Sequence, residues 1–264
     1  MLRVDDIQLA FGGVKALTGV SVNAEAGKIT AVIGPNGAGK TSLFNVVSGF
    51  YRPQSGTVRL DGEDISGLKP HARAYRGMSR TFQNIALFHG MTVLDNIKLG
   101  AHTNLKSGVI SAGLRLPLTR REEARLDDEI QREVIGLLEL DHVQHHHVED
   151  LAYGLQKRVE LARALVMRPK ILLLDEPVAG MNREEKSEMS RFVQGVKRDW
   201  NTTVLLIEHD MSMVMGISDH VVVLSFGKPI ASGTPDEVRV NPDVIKAYLG
   251  SADEPQKSPA EVAL

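Results

Sequence analysis

The 264-residue chain has no cysteine, which excludes both a disulfide framework and a thiolate metal site. Its 42% hydrophobic and 24% charged residues are those of an ordinary globular protein with enough apolar side chains for a full core. A formal net charge of −2 supplies no overall basic field, so nucleic acid is not an expected partner.

The chain opens on strands and turns. Leu2, Val4, Ile7 and Leu9 are apolar among polar neighbours, Gly12-Gly13 punctuates, and Gly27 precedes an apolar run from Ile29 to Ile33. A glycine-rich loop leads into a short helix from about Lys40 to Ser48, with Gly49 placed to end it. Thr57 to Leu60 followed by Asp61-Gly62 signals a hairpin. From about 84 to 168 the spacing is helical. Leu126, Ile130, Val134, Leu137 and Leu138 recur on one face within Arg121–Leu140, and Leu155, Val159, Ala162 and Val166 do so near 155–167.

Strands and helices then alternate. Ile171 to Leu174, Thr203 to Ile207 and His220 to Leu224 are strand-like, and Met189, Phe192, Val193 and Val196 mark an amphipathic helix. This alternation predicts an α/β fold with a mostly parallel sheet. Thr234-Pro235-Asp236-Glu237 is a capping box with proline at the first helical position, and a last helix is expected from Pro242 to Leu249. Residues 251–264 have the composition of a loose tail. The longest apolar stretches, 171–174 and 221–224, fall far short of the roughly 20 residues that cross a bilayer. Residues 1–20 lack a signal peptide's pattern, so any membrane-spanning part is expected in another subunit.

Two stretches carry chemistry. Gly34-Pro-Asn36-Gly37-Ala38-Gly39-Lys40-Thr41 fits the P-loop pattern without a mismatch, between an apolar strand and a helix. Its glycines let backbone N–H groups turn inward around phosphates, Lys40 adds a cation, and the Thr41 hydroxyl can ligate Mg²⁺, with Ser42 following in the first helical turn. Four apolar residues ending in Asp175-Glu176 suit a buried strand that aims one carboxylate at a metal and a second at a water. An Asp-Glu strand end is common by itself; beside a P-loop it becomes informative. His142 and 145–147 read as a solvated loop, since consecutive histidines cannot converge on one ion. Arg120-Arg-Glu-Glu reads as a solvated helix start.

Along about residues 2 to 250 the chain resembles ABC-family ATPases, whose elements occur in order. Phe11 stands in the adenine-stacking position, then come the P-loop, Arg80-Thr-Phe-Gln83 as the Q-loop, and Leu151-Ala152-Tyr153-Gly154-Leu155-Gln156 as the signature. Asp175-Glu176 as Walker B, Ala179-Gly-Met-Asn182 as the D-loop and His209 as the switch histidine complete the set. The resemblance implies a P-loop NTPase core of residues 1–83 and 169–250 with an antiparallel β subdomain and a helical subdomain at 84–168. It further implies ATP and Mg²⁺ as cofactors, the metal held by Thr41, Gln83 and Asp175, and catalysis by Glu176 with His209 and Gln83. The nucleotide would bind the residues from Asn36 to Ser42 of one subunit and those from Ala152 to Gln156 of a second. The usual Leu-Ser-Gly-Gly-Gln departs here to Ala152, Tyr153 and Leu155, and Asn182 replaces a common Asp.

Phe44-Asn45, Gly49-Phe-Tyr-Arg-Pro53, Ile207-Glu-His-Asp-Met211 and Asn241-Pro-Asp-Val are similar to branched-chain amino-acid importers, as is the long linker at about 101–125. That resemblance implies a second ATPase subunit, membrane permease subunits and, indirectly, a solute-binding protein, with this chain peripheral on the cytoplasmic face of the membrane. Two alternatives stay open. An ABC ATPase acting on nucleic acid needs a long coiled-coil arm, and 84–168 lacks sustained heptads. A soluble translation-associated ATPase carries two cassettes, and this chain has one P-loop.

Overall fold

The computed structural model describes residues 1–83, 85–101, 128 and 130–249. Its strands are β1 (Leu2–Phe11), β2 (Val14–Ala24), β3 (Ile29–Ile33), β4 (Ser55–Leu60), β5 (Glu63–Asp64), β6 (Met78–Arg80), β7 (Ile171–Asp175), β8 (Thr203–Ile207), β9 (His220–Ser225) and β10 (Lys228–Gly233). Every position of β3, β7 and β8 is buried. A strand of period two that is buried throughout needs a core on each face, and the apolar side chains sort that way. Ile29, Ala31, Ile33, Leu172, Leu174, Val204 and Leu206 enter one core, while Val32, Leu173, Leu205 and Ile207 enter the other.

The first core is closed by helices Val93–Gly100, Tyr153–Leu165 and Arg183–Trp200, which contribute Ile97, Val159, Phe192 and Val196. The second is closed by helix Lys40–Val47, through Leu43, Phe44 and Val47, and by an antiparallel sheet of order β2-β1-β4-β5. Between them lies a six-stranded sheet of order β10-β9-β3-β8-β7-β6, parallel except where β10 returns beside β9. Val32 pairs with Ile207, which also pairs with Asp175, so β3, β8 and β7 end level with one another. Ligands of open α/β sheets bind beyond such strand ends.

The expected hairpin, the helix around Phe192, and the last helix, Pro242–Leu249, all form. So does the capping box: Thr234 N donates to Glu237 and Glu237 N donates to Thr234 Oγ1. One expectation is corrected. The helix read from Arg121 to Leu140 is π-helical over Ile130–Ile135, and the chain turns out of it before Leu140. Gly136 N bonds Gln131 O and Leu140 N bonds Ile135 O, each five residues back, and Glu139 closes the turn at φ 54°. Leu126, the linker at 102–125, the Arg120 charge run and the tail at 251–264 lie outside the described residues.

Candidate nucleotide site

The loop from Gly34 to Gly39 has conformations that only glycine adopts without strain. Gly39 sits at φ 98°, and a Cβ there would meet the Ala16 carbonyl at 2.7 Å; one at Gly34 would meet the Leu224 carbonyl at 2.1 Å. Lys40 folds back over this loop and donates to the carbonyls of Gly34 at 2.6 Å and Pro35 at 3.0 Å. Burial presses the Lys40 ammonium below its ordinary range, and the charges of Glu176 and Asp175 oppose that. Gly39 caps the helix Lys40–Val47 with no side-chain acceptor, which leaves the first N–H groups free for an anion. Asn36, Gly37 and Thr41 are exposed, Ser42 half-buried and Ala38 buried.

The acids follow from the end of β7. Asp175 is buried, and its Oδ2 accepts from Arg80 Nη2 at 2.7 Å. Burial raises the Asp175 carboxyl above its ordinary range, and the Arg80 guanidinium works against that rise. Glu176 takes the left-handed conformation at φ 49°, a strain of order 1–3 kcal/mol for a side-chain-bearing residue. Glu176 N donates to Ile207 O at 2.9 Å, which ties the bend to the neighbouring strand. Gln83 Nε2 reaches Glu176 Oε2 at 3.0 Å, and exposed His209 places Nδ1 3.9 Å from the same oxygen. Lys40, Gln83, Asp175, Glu176 and His209 therefore gather beyond the same ends of the sheet's strands. Phe11 ends β1 and meets Tyr51 edge to face at 5.1 Å between centroids.

A P-loop, level strand ends and paired acids in this topology are matched along most of the chain by known proteins. Residues 17–179 match the model of the ABC transporter family, and residues 228–254 that of the branched-chain amino acid ATP-binding cassette transporter family. The chain belongs to the ABC transporter family. The cassette is 44% identical over 252 residues to the high-affinity branched-chain amino acid transport ATP-binding protein BraF of Pseudomonas aeruginosa, covering 96% of this chain and 98% of that one. It is 44% identical over 254 residues to the corresponding protein LivG of Escherichia coli K12, with the same coverage. A solved ATP-binding cassette of an ABC transporter in its ADP conformation superposes with a TM-score of 0.82 at 32% identity, covering 95% of this chain and 98% of that one. The fold is thus that of an ABC ATPase, and the chain is a nucleotide-binding ATPase of that family.

The signature residues stand at the start of helix Tyr153–Leu165, not on the elements that carry the P-loop and the paired acids. Ala152 and Tyr153 are exposed at the start of helix Tyr153–Leu165, whose N-terminus has no side-chain cap. Leu155 packs on the core, and the Gln156 amide donates to the Leu151 carbonyl at 3.0 Å. Gly154 is pressed against the D-loop helix, where a Cβ would lie 2.3 Å from Glu185 Oε1. Asn182, the departure from Asp, caps that helix by accepting from Glu184 N and Glu185 N at 2.9 and 3.0 Å. The histidines 142 and 145–147 are exposed, and among the described residues no group of three or more His, Asp or Glu side chains could hold a metal.

Sequence reasoning passed over several residues that build the site. Glu208 is fully buried and its carboxylate accepts from Val178 N, His209 N and Asp210 N at 3.0, 2.8 and 3.0 Å, fixing the His209 backbone to the loop after Glu176. Lys157 and Glu160, both buried, reach from the signature helix to the Gln83 carbonyl at 3.0 Å and the Phe82 N–H at 3.2 Å. Their signal was a charged pair on the inward face of an amphipathic helix, legible only once that face is known.

Proposed function

We propose that the cassette is the ATP-hydrolysing subunit of an importer for branched-chain or related amino acids, peripheral to the cytoplasmic face of a membrane and closing on a second cassette around ATP. The observation that carries the chemistry is the convergence of Lys40, Gln83 and His209 on Asp175 and Glu176 at level strand ends. The substrate class is supported by the relatives' names and by the match of residues 228–254. Residues 1–250 are taken as one cassette domain, with 84–168 as a helical subdomain inserted into the core and 251–264 as a tail.

The residues fit a Mg²⁺–ATP complex. Magnesium keeps several waters and needs only one or two carboxylates besides the substrate's phosphates. Asp175, the Thr41 hydroxyl and the Gln83 amide oxygen are the groups that would hold it, and Arg80 occupies only one Asp175 oxygen. When bound, the metal neutralises phosphate charge. Lys40 and the open N-terminus of helix Lys40–Val47, with Asn36, Gly37, Ala38, Gly39 and Ser42, cradle the phosphates. Phe11 with Tyr51 offers an aromatic face to the base. Glu176 accepts the proton of the attacking water on the oxygen that Gln83 does not hold, and His209 donates to the γ-phosphate.

The second cassette supplies Ala152, Tyr153, Gly154, Leu155 and Gln156. With Ala152 lacking a hydroxyl and Leu155 turned inward, its contact rests on the uncapped helix N-terminus. Permease subunits and, through them, a solute-binding protein complete the assembly. Affinity purification through a tag on this chain tests the reading. A second cassette and two permease chains should co-purify in stoichiometric amounts; recovery of nucleic acid or ribosomes in their place would contradict it.

A further inference from the structure

The Arg80 side chain is only 8% exposed and stands at the end of β6, a charged group where a short buried strand meets the Q-loop. One terminal nitrogen, Nη2, donates to Asp175 Oδ2 at 2.7 Å. The other, Nη1, donates to Asn45 Oδ1 at 2.8 Å and Ser48 Oγ at 2.7 Å, both toward the far end of the helix that the P-loop begins. The guanidinium carbon lies 5.1 Å from the ring centroid of Phe82, 5.6 Å from Phe44 and 5.9 Å from Phe50. Three aromatic faces and three side-chain acceptors hold one planar cation in one place. Arg80 Nε is buried without a hydrogen-bond partner, so the head is placed by its two ends and by the rings.

We propose that Arg80 is a positioning residue for the metal site, resting on the reading of Asp175 as the Mg²⁺ ligand. By fixing Oδ2 it turns the free Asp175 oxygen outward from the strand end, and through Asn45 and Ser48 it sets that oxygen's place relative to the P-loop. The P-loop helix, the Walker B acid and the Q-loop strand thereby share one rigid joint. A metal ligand whose outer hydrogen-bond partner is removed typically loses about 10–100-fold in metal affinity. Arg80 bonds the oxygen opposite the one left for the cation, which limits its repulsion of that cation.

The test is a Mn²⁺ titration followed by electron paramagnetic resonance, with the purified subunit saturated with ADP. Arg80→Gln should weaken Mn²⁺ by about 10–100-fold while ADP affinity measured in EDTA stays unchanged. Arg80→Lys, which keeps charge but cannot reach three acceptors, should fall between. Should Arg80→Gln fail to fold, Ser48→Ala and Asn45→Ala keep the arginine and remove its anchors, and each should weaken Mn²⁺ by a smaller factor. Asp175→Asn separates the two readings. If it leaves Mn²⁺ binding unchanged, Asp175 is not the ligand and the underlying reading fails. If it weakens Mn²⁺ while the Arg80 and anchor variants bind normally or more tightly, the positioning role of Arg80 is overturned.

Discussion

Gln83 Nε2 donates to Glu176 Oε2 at 3.0 Å, so the Q-loop amide lies on the carboxylate assigned to activate water. Three residues earlier Arg80 holds the neighbouring acid, Asp175. Glu176→Gln keeps shape and removes the basic oxygen. Hydrolysis should fall on the order of 10²–10⁴-fold while ATP still binds. The ATP-bound variant should accumulate as a dimer on size-exclusion chromatography, and a wild-type rate would move the catalytic role elsewhere.

Gly154 has an intrasubunit neighbour that complicates any substitution there. An added Cβ would displace Glu185, whose Oε2 accepts from Asn182 N at 2.9 Å in the capping box. Gly154→Asp would also set two carboxylates together before any partner subunit is met. Asn182 keeps its own cap, so what is lost is the reciprocal Glu185 bond, about 0.5–1.5 kcal/mol. Gly154→Ala and Glu185→Ala should therefore share this loss, and urea unfolding of the double variant should show less than the sum of the singles. Strict additivity would mean that the two side chains do not meet.

Arg73 is a stability prediction. It is buried, and its Nη1 donates to the carbonyls of Val46 at 2.7 Å and Val47 at 2.5 Å, capping the helix that begins at the P-loop. Burial pushes its pKa down to about 10, within the range where it stays charged at neutral pH. Arg73→Met leaves these helix-end carbonyls without their donor, at about 1–3 kcal/mol. A lowered denaturation midpoint with the same denaturant slope is the expected result.

Asp210 gives a pH dependence. Its carboxylate is held below the ordinary range first by Lys186, at 2.8 Å, then by Met213 N at 3.0 Å as the cap of helix Met211–Ile217. A carboxyl with a lowered folded pKa stabilises the fold fully above its unfolded pKa, about 3.9, and loses that as pH falls through the folded value. The stability difference between wild type and Asp210→Asn should thus be complete at neutral pH and shrink in acid. A difference that grows below pH of about 4 would contradict this assignment.

The sheet was legible because its strands need apolar residues on both faces: Ile29–Ile33, Ile171–Leu174 and Thr203–Ile207 announce themselves without their partners. The P-loop was legible because Gly34 and Gly39 meet backbone from distant segments. β6 was not, since Met78-Ser-Arg80 is short and ends in a charge whose partners, Asn45, Ser48 and Asp175, are 32 to 95 residues away. Glu208 and Lys157 were hidden for the same reason. Their sequence pattern is that of surface charge, and only folding supplies the backbone groups that satisfy them. The π-helical turn at Ile130–Ile135 hid behind a helical spacing too short to separate a period of 3.6 from a wider one.

The central claim is that ATP held at Lys40 drives amino-acid uptake. Uptake of labelled leucine into proteoliposomes, with the purified transporter oriented to meet ATP and its solute-binding protein present, tests it most directly. The wild-type assembly should accumulate leucine only with ATP and Mg²⁺, and the same assembly carrying Lys40→Ala should neither hydrolyse ATP nor accumulate leucine. Uptake by the Lys40→Ala assembly at the wild-type rate, or ATP-dependent transport by wild type of a solute outside the amino acids to the exclusion of leucine, would contradict it.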